Sequence, residues 1–371
     1  RKKEKNSSLI ADFAFLRDYK TLTGNKHKTK NVNHLFLNYT NNLKIPSYLE
    51  SQFDLQLEKV TNDTYLKVFQ NNLFDTPVMP GNQSTMNSNL KLYLEKEDQN
   101  LTTGIEVYEN LGTKHSDRYQ YTLPYYNFSK NLTSLITNNS INGALNFYST
   151  GTNKLSNTNN LRTTVVNDFN YSSIDFISKL GFKNNFELYF KNLNAVGKND
   201  TVYTSDAQID GMSIFKFDSS FPLLKSQNTT RETLVPKISL RINPGNNMDN
   251  YSNSSSNISA SNVYDVNRLG LSNDFEAGRS LTFGLDYKFD QIEISQTKDI
   301  NDKKDKYLEI NLATVIRDQI ENDIPISSTI NKKNSDLFGS INNRLFNNVN
   351  LAYNFSLDND MKTINSNEIE T

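Results

Sequence analysis

From Leu281 to Asp290 the chain reads Leu-Thr-Phe-Gly-Leu-Asp-Tyr-Lys-Phe-Asp. Successive side chains of a strand point to opposite faces, so Leu281, Phe283, Leu285, Tyr287 and Phe289 share one face while Thr282, Gly284, Asp286, Lys288 and Asp290 share the other. The same period of two recurs at Phe53-Asp-Leu-Gln-Leu-Glu58, Leu90-Lys-Leu-Tyr-Leu-Glu95, Phe186-Glu-Leu-Tyr-Phe-Lys191, Leu308-Glu-Ile-Asn-Leu312 and Val349-Asn-Leu-Ala-Tyr-Asn-Phe-Ser-Leu-Asp358. No segment shows a helical period of comparable strength. A chain made of half-apolar strands must cover every apolar face, in a sandwich, a solenoid or a barrel.

Composition separates these. Hydrophobic residues are 36% of the chain, yet Tyr (19) and Phe (22) are plentiful, and the mean hydropathy is -0.65. A soluble sandwich buries longer apolar stretches, whereas a membrane-spanning barrel needs only alternate residues apolar over ~10 residues per strand, because its inner face is polar. Disorder shares the low hydrophobicity but not the alternation. The expected fold class is all-β, a large antiparallel transmembrane β-barrel of the outer-membrane type. With ~10 residues per strand plus turns, the chain has room for about 16 strands.

Forty Lys+Arg against 41 Asp+Glu give a net charge of -1, so the basic surface that nucleic acid requires is missing. With no Cys there is no disulfide framework and no thiolate chemistry. No run approaches the ~18 apolar residues of a membrane helix. The chain opens Arg1-Lys-Lys-Glu-Lys5 without an initiating Met and closes on the polar Asn367-Glu-Ile-Glu-Thr371. The expectation is one barrel domain over 1–371, truncated at both ends, with no second domain. Such an open sheet alone would aggregate or fail to insert.

Polar punctuation at Thr21–His27, Pro80–Ser84, Ser149–Asn153, Asn243–Asn247 and Lys298–Lys306 reads as turns. Two longer polar stretches, Asn246–Asn262 and Asn192–Asp210, read as extracellular or lumen-folded loops. Pro124 and Pro236 fall inside strand-like segments, where a missing ladder donor marks a weakening, a bulge or a strand start.

Candidate chemistry is sparse. His27, His34 and His115 lie far apart and read as solvated polar residues rather than metal ligands. A barrel hydrolase needs Ser, His and an acid on one face, and the adjacent His115-Ser-Asp117 would alternate between faces. No catalytic residue, cofactor or metal is expected, and the chain is not read as an enzyme. Tyr39, Tyr48, Tyr65, Tyr108, Tyr119, Tyr121, Tyr125 and Tyr126 fit interfacial girdles. Glu58, Lys91, Lys237, Arg241, Asp286 and Lys288 are lumen-facing candidates. Leu281, Phe283, Leu285, Tyr287 and Phe289 are lipid-facing candidates.

Three segments carry a family resemblance. Phe53 to Leu66 is an alternating strand followed by a short turn and an Asp-Thr-Tyr-Leu element. Arg231-Glu-Thr-Leu-Val-Pro-Lys-Ile-Ser-Leu240 is similar to a Thr-Leu-X-Pro-Lys strand. Asn262-Val-Tyr-Asp-Val-Asn-Arg268, then Asn273-Asp-Phe-Glu-Ala-Gly-Arg279, leads into the strand at Leu281. In that order they resemble the LptD family of lipopolysaccharide-assembly outer-membrane proteins (organic solvent tolerance proteins), over roughly Asp12 to Asp358. Leu269-Gly270-Leu271 replaces the family's aromatic–Gly pair, and Phe275 its Arg-Ile-like step. The resemblance implies insertion of lipopolysaccharide into the outer leaflet. It also implies a periplasmic jellyroll outside this chain that meets an LptA-like bridge protein, an LptE-like plug lipoprotein in the barrel, and a lateral seam. The alternative is a generic outer-membrane porin or receptor barrel.

Overall fold

Each alternating segment forms a strand in the computed structural model. The structure describes residues 2–3, 6–23, 26–69, 71, 73–113, 117–137, 142–245, 257–271, 275–291, 306–346 and 349–371; the side chains of 2–3, 18–23, 26–30, 137 and 346 are not described. The strands are β1 (Lys2–Lys3), β2 (Ser7–Thr23), β3 (Lys26–Asn42), β4 (Glu50–Val60), β5 (Thr85–Glu95), β6 (Gln99–Asn110), β7 (Tyr119–Asn131), β8 (Gly143–Ser156), β9 (Asn160–Ser173) and β10 (Phe176–Ile177). They continue as β11 (Lys183–Lys198), β12 (Gln208–Ser220), β13 (Leu223–Ser226), β14 (Thr230–Asn243), β15 (Gly278–Gln291), β16 (Lys306–Arg317), β17 (Leu337–Phe346), β18 (Val349–Leu357) and β19 (Ile364–Glu370). Three of these nineteen described strands, β1, β10 and β13, have four residues or fewer, which leaves sixteen longer ones, in line with the estimate from length. Among the described residues no helix is long and apolar enough to cross a membrane. The fold class is all-β and antiparallel, of the outer-membrane type.

The chain divides into two compact units. The first comprises Arg1–Leu132, Asn146–Asp168 and Asn192–Ile209. Its β1 to β7 form an antiparallel meander, and β7 pairs with β8. Between β4 and β5 the chain turns through a short helix α1 (Tyr65–Phe69), started where the Asn62 side chain accepts the Thr64 N–H at 2.9 Å. This segment covers one face of the sheet with Tyr65, Leu66, Phe69, Leu73, Val78 and Met79, packed on Val32, Phe36, Val60, Met86 and Leu111. Tyr65 is therefore a core residue, not part of an interfacial girdle.

Two other expectations are corrected in this unit. Ser149–Asn153 is no turn but the middle of β8. Gly151 is small there because a Cβ would meet the Tyr126 ring at 2.1 Å on the paired strand. The stretch 192–210 is mostly strand: β11 runs to Lys198 and β12 begins at Gln208, with Leu193 and Ala195 buried on alternate positions. Pro124 lies within β7 where the register shifts against both neighbours, between Thr122 and Tyr125 of β7 opposite β8 and between Gly104 and Glu106 of β6. The ladder steps over the missing donor, as in a bulge.

The second unit comprises Thr133–Leu145, Phe169–Lys191 and Asp210–Thr371, and contains the helix α2 (Thr133–Thr137). Here β10 pairs with β11, β12 and β13 both pair with β14, and β14 to β19 form a meander. Pairing of β14 with β15 is unbroken from Thr230↔Gln291 to Asn243↔Gly278. Pro236 is tolerated because its other side falls where β12 gives way to β13: pairing stops at Ser220↔Lys237 and resumes at Leu223↔Leu234 in the same register. The described part of the 246–262 stretch folds back on the sheet. Ile258, Ala260, Val263 and Leu269 pack with Ala313, Val315, Ile324, Ile330 and Phe338 in one core.

Candidate functional site

The strands β14, β15 and β16 turn the usual order of a soluble sheet inside out. On β15, Ser280 and Thr282 are buried while Phe283 and Leu285 are 40% and 38% exposed. The register extends this across three strands: Leu240, Leu281 and Ile316 stand in one row, Ile238, Phe283 and Thr314 in the next, then Pro236, Leu285 and Leu312, then Leu234, Tyr287 and Ile310. Phe289 faces Leu308 and Glu232 one row on. The open face is mostly apolar, and the covered face buries Arg241, Ser280, Thr282 and Arg317 beside Ala313 and Val315, an arrangement that water alone does not select.

What covers the polar face is the segment before β15, anchored by a buried ionic knot. Arg268 donates to both Glu276 oxygens, Nε to Oε2 at 2.6 Å and Nη2 to Oε1 at 2.5 Å. Its remaining N–H groups reach Ser280 Oγ at 2.9 Å, Thr282 Oγ1 at 3.3 Å and the Val263 carbonyl at 3.2 Å. Arg317 of β16 also donates to Glu276 Oε1, and to the carbonyls of Ile330 at 2.7 Å and Ala277 at 3.1 Å. Arg241 of β14 donates to the Val266 and Glu276 carbonyls. Burial by itself would push the Glu276 carboxyl up, but the charges of Arg268, Arg317 and Arg241 reverse this and hold it well below the usual carboxylate range. It is a fixed anion that ties three strands to one covering segment.

One end of the same face carries a second constellation. Lys237 and Asp286 form an ion pair, and Lys237 Nζ lies 5.5 Å from the centre of the Tyr264 ring. Gly284, between them, admits the Tyr264 hydroxyl, which a Cβ would meet at 1.6 Å. Burial, then the charges of Asp286 and Asp218, push that hydroxyl well above its ordinary value, so it remains protonated.

Of the four lumen candidates on β14 and β15, Lys237 and Asp286 thus pair with each other and Arg241 belongs to the knot. Lys288 stands apart, 3.1 Å from Asp290 and 5.7 Å from the Tyr307 ring. Arg268, Glu276, Arg317 and Tyr264 were not singled out by the sequence, although Tyr264, Arg268 and Glu276 lie within the third family-like segment.

In the first unit His34 is buried, which corrects the expectation of a solvated residue. Its Nδ1 lies 2.9 Å from the Tyr65 hydroxyl, its Nε2 3.2 Å from Asp12, and its ring stacks on Phe36 at 4.3 Å. The role is structural: Asp12 also accepts from Thr76 at 2.9 Å, which ties the covering segment to β2 and β3. The His27 side chain and His115 lie outside the described residues.

The turn after β11 holds a further pair. Asp200 accepts Arg162 Nε at 2.7 Å and Nη2 at 2.9 Å, and the N–H groups of Val202 and Tyr203. Arg162 first, helped by these backbone donors, lowers the Asp200 carboxyl from 3.8 to about 2. Because the folded-state value is depressed, this contribution to stability is complete above pH 3.8 and is lost as pH falls through about 2. Unfolding midpoints of the parent and Asp200→Asn should differ at neutral pH and converge on acidification across that window. A difference that stays constant with pH would refute the assignment.

A protein-family model described as LptD: LPS transport system D matches residues 33–371. No curated protein matches the chain.

Proposed function

The chain belongs to the LptD family of LPS transport, and from that premise we propose that it forms part of the outer-membrane barrel that inserts lipopolysaccharide into the outer leaflet of a Gram-negative bacterium. The observation that carries this reading is the inverted β14–β16 surface, with an apolar wall in the open and ionic groups under cover. Lipopolysaccharide joins acyl chains, which are stable in hydrocarbon, to a charged saccharide that hydrocarbon excludes. A wall with one lipid face and one polar face serves both halves of that molecule, and no covalent step is needed.

In this reading Leu281, Phe283, Leu285, Tyr287 and Phe289 face lipid. Lys237, Arg241, Asp286 and Lys288 belong to the lumen side, where an LptE-like plug lipoprotein is received. Both units then belong to one barrel domain, and lipid arrives from an LptA-like bridge protein through a jellyroll. Pro124 and Pro236 are positions of weakened pairing. A generic porin or receptor shares the two faces but not the family match.

The face assignment is tested by cysteine labelling in the full-length protein in cells, with the unsubstituted protein as control, because these 371 residues add no Cys of their own to the background. Phe283→Cys and Leu285→Cys should react with a lipid-soluble maleimide, and Thr282→Cys and Asp286→Cys should not. The opposite pattern would mean that the faces are reversed. Transport itself is tested by depletion: the full-length gene should restore surface lipopolysaccharide to cells lacking their own export protein.

A further inference from the structure

Beside the β14–β16 wall the open face of the second unit is not flush. A groove of about 470 Å³, within the size range of small-ligand sites, is lined by Phe169 of β9 and Leu188 and Phe190 of β11, and by Phe215 of β12, Ile242 of β14 and Pro244 just beyond it. Phe215 pairs with Ile242, in the same-face row next to that of Phe217, Leu240 and Leu281. The groove therefore opens on the face of the apolar wall.

Small residues make the hollow. Ser213 is the smallest residue that lines it, and two positions earlier a Cβ added to Gly211 would meet nothing within 4 Å. The large side chains around it stand in the open, with Phe169, Leu188, Phe190 and Phe215 between 36% and 46% exposed.

The lining also limits what can lie there. No charged residue lines the groove among the described residues. The Tyr171 hydroxyl donates to the Asn142 carbonyl at 2.9 Å and the Tyr189 hydroxyl to Glu187 at 3.1 Å, so both phenols of the lining already have their acceptors. A phosphate or a sugar ring finds no cation and no side-chain amide to hold it. A hydrocarbon chain needs only apolar contact, and brings no backbone groups that must be paired within the membrane.

Position selects the leaflet. Ile242 and Pro244 lie at the end of the sheet from which residues 244–277 and 318–336 depart, and the longer loops of an outer-membrane barrel stand on the outside of the cell. We propose that this groove holds one acyl chain of a lipopolysaccharide molecule in the outer leaflet. The proposal rests on the transport reading for the identity of the lipid, while the apolar chemistry of the groove does not.

The test uses the full-length protein in vesicles and two probes that carry the same photoreactive diazirine in an acyl chain, one a lipopolysaccharide and the other a phosphatidylethanolamine. The lipopolysaccharide probe should label Phe169, Leu188, Phe190 or Phe215 in excess over Leu281 to Phe289 of the wall. Ser213→Phe, which fills the groove, should remove that excess and leave the labelling of the wall, whereas Ser213→Ala should keep both. Equal labelling of groove and wall, a groove labelled as well by the phosphatidylethanolamine probe, a groove labelled by neither, or an excess that survives Ser213→Phe overturns the proposal. Loss of all labelling in Ser213→Phe would mark a misfolded variant, and the excess in the parent then decides alone. A parent whose wall takes up neither probe would instead overturn the reading of this face as lipid-facing, whatever happens in the groove.

Discussion

Glu276→Ala is expected to destabilise the second unit by about 3–5 kcal/mol, the range for removing one partner of a buried ion pair. The substitution leaves the Arg268 and Arg317 guanidiniums buried with only carbonyls and hydroxyls for partners. Replacing Arg268 and Glu276 together by Met and Leu should cost less than Glu276→Ala alone, because no charge is then stranded between these two. The chain has no Trp, so urea unfolding in detergent is best followed by strand circular dichroism and by the heat-modifiable gel shift. A loss below about 1 kcal/mol, the size of an ordinary surface change, would mean that the knot does not hold the covering segment. Acid offers an independent check. The Glu276 carboxyl is depressed from 4.5, so its contribution is whole above pH 4.5 and declines as pH falls below it. The advantage of the parent over Glu276→Gln should shrink in that direction only.

The strands were legible because alternation is a local property: Leu281 to Asp290 declares both faces within ten residues. The coverings were not. Residues 61–84 and 257–277 carry neither a period of two nor one of 3.6, so Tyr65 reads as a girdle residue and His34 as a solvated one until the chain folds back over them. Arg268 and Glu276 lie eight residues apart and look like loop charges; it is Arg317, 41 positions beyond Glu276, that closes the knot. Polar or small residues in strands misled in the other direction. Asn192, Asn194, Ala195 and Gly197 look like loop, and Gly151 looks like a turn, although it serves the packing of Tyr126.

Leu285→Arg should cost about 2–4 kcal/mol in a phospholipid bilayer, the depth-dependent penalty for a cation near the midplane of a barrel's lipid face. Leu285 lies at the middle of β15, flanked in register by Pro236 and Leu312, and is 38% exposed. Ile316 is similarly exposed, at 42%, but one residue from the end of β16. Ile316→Arg should therefore cost only about 0–1 kcal/mol, the penalty near an interface. In a water-facing sheet, both substitutions would fall within about 0.5 kcal/mol of neutral. The pair thus reads depth in the membrane from two residues of nearly equal exposure. Unfolding of the full-length protein from vesicles supplies the measurement, and equal costs at the two positions would remove the case that this wall faces hydrocarbon.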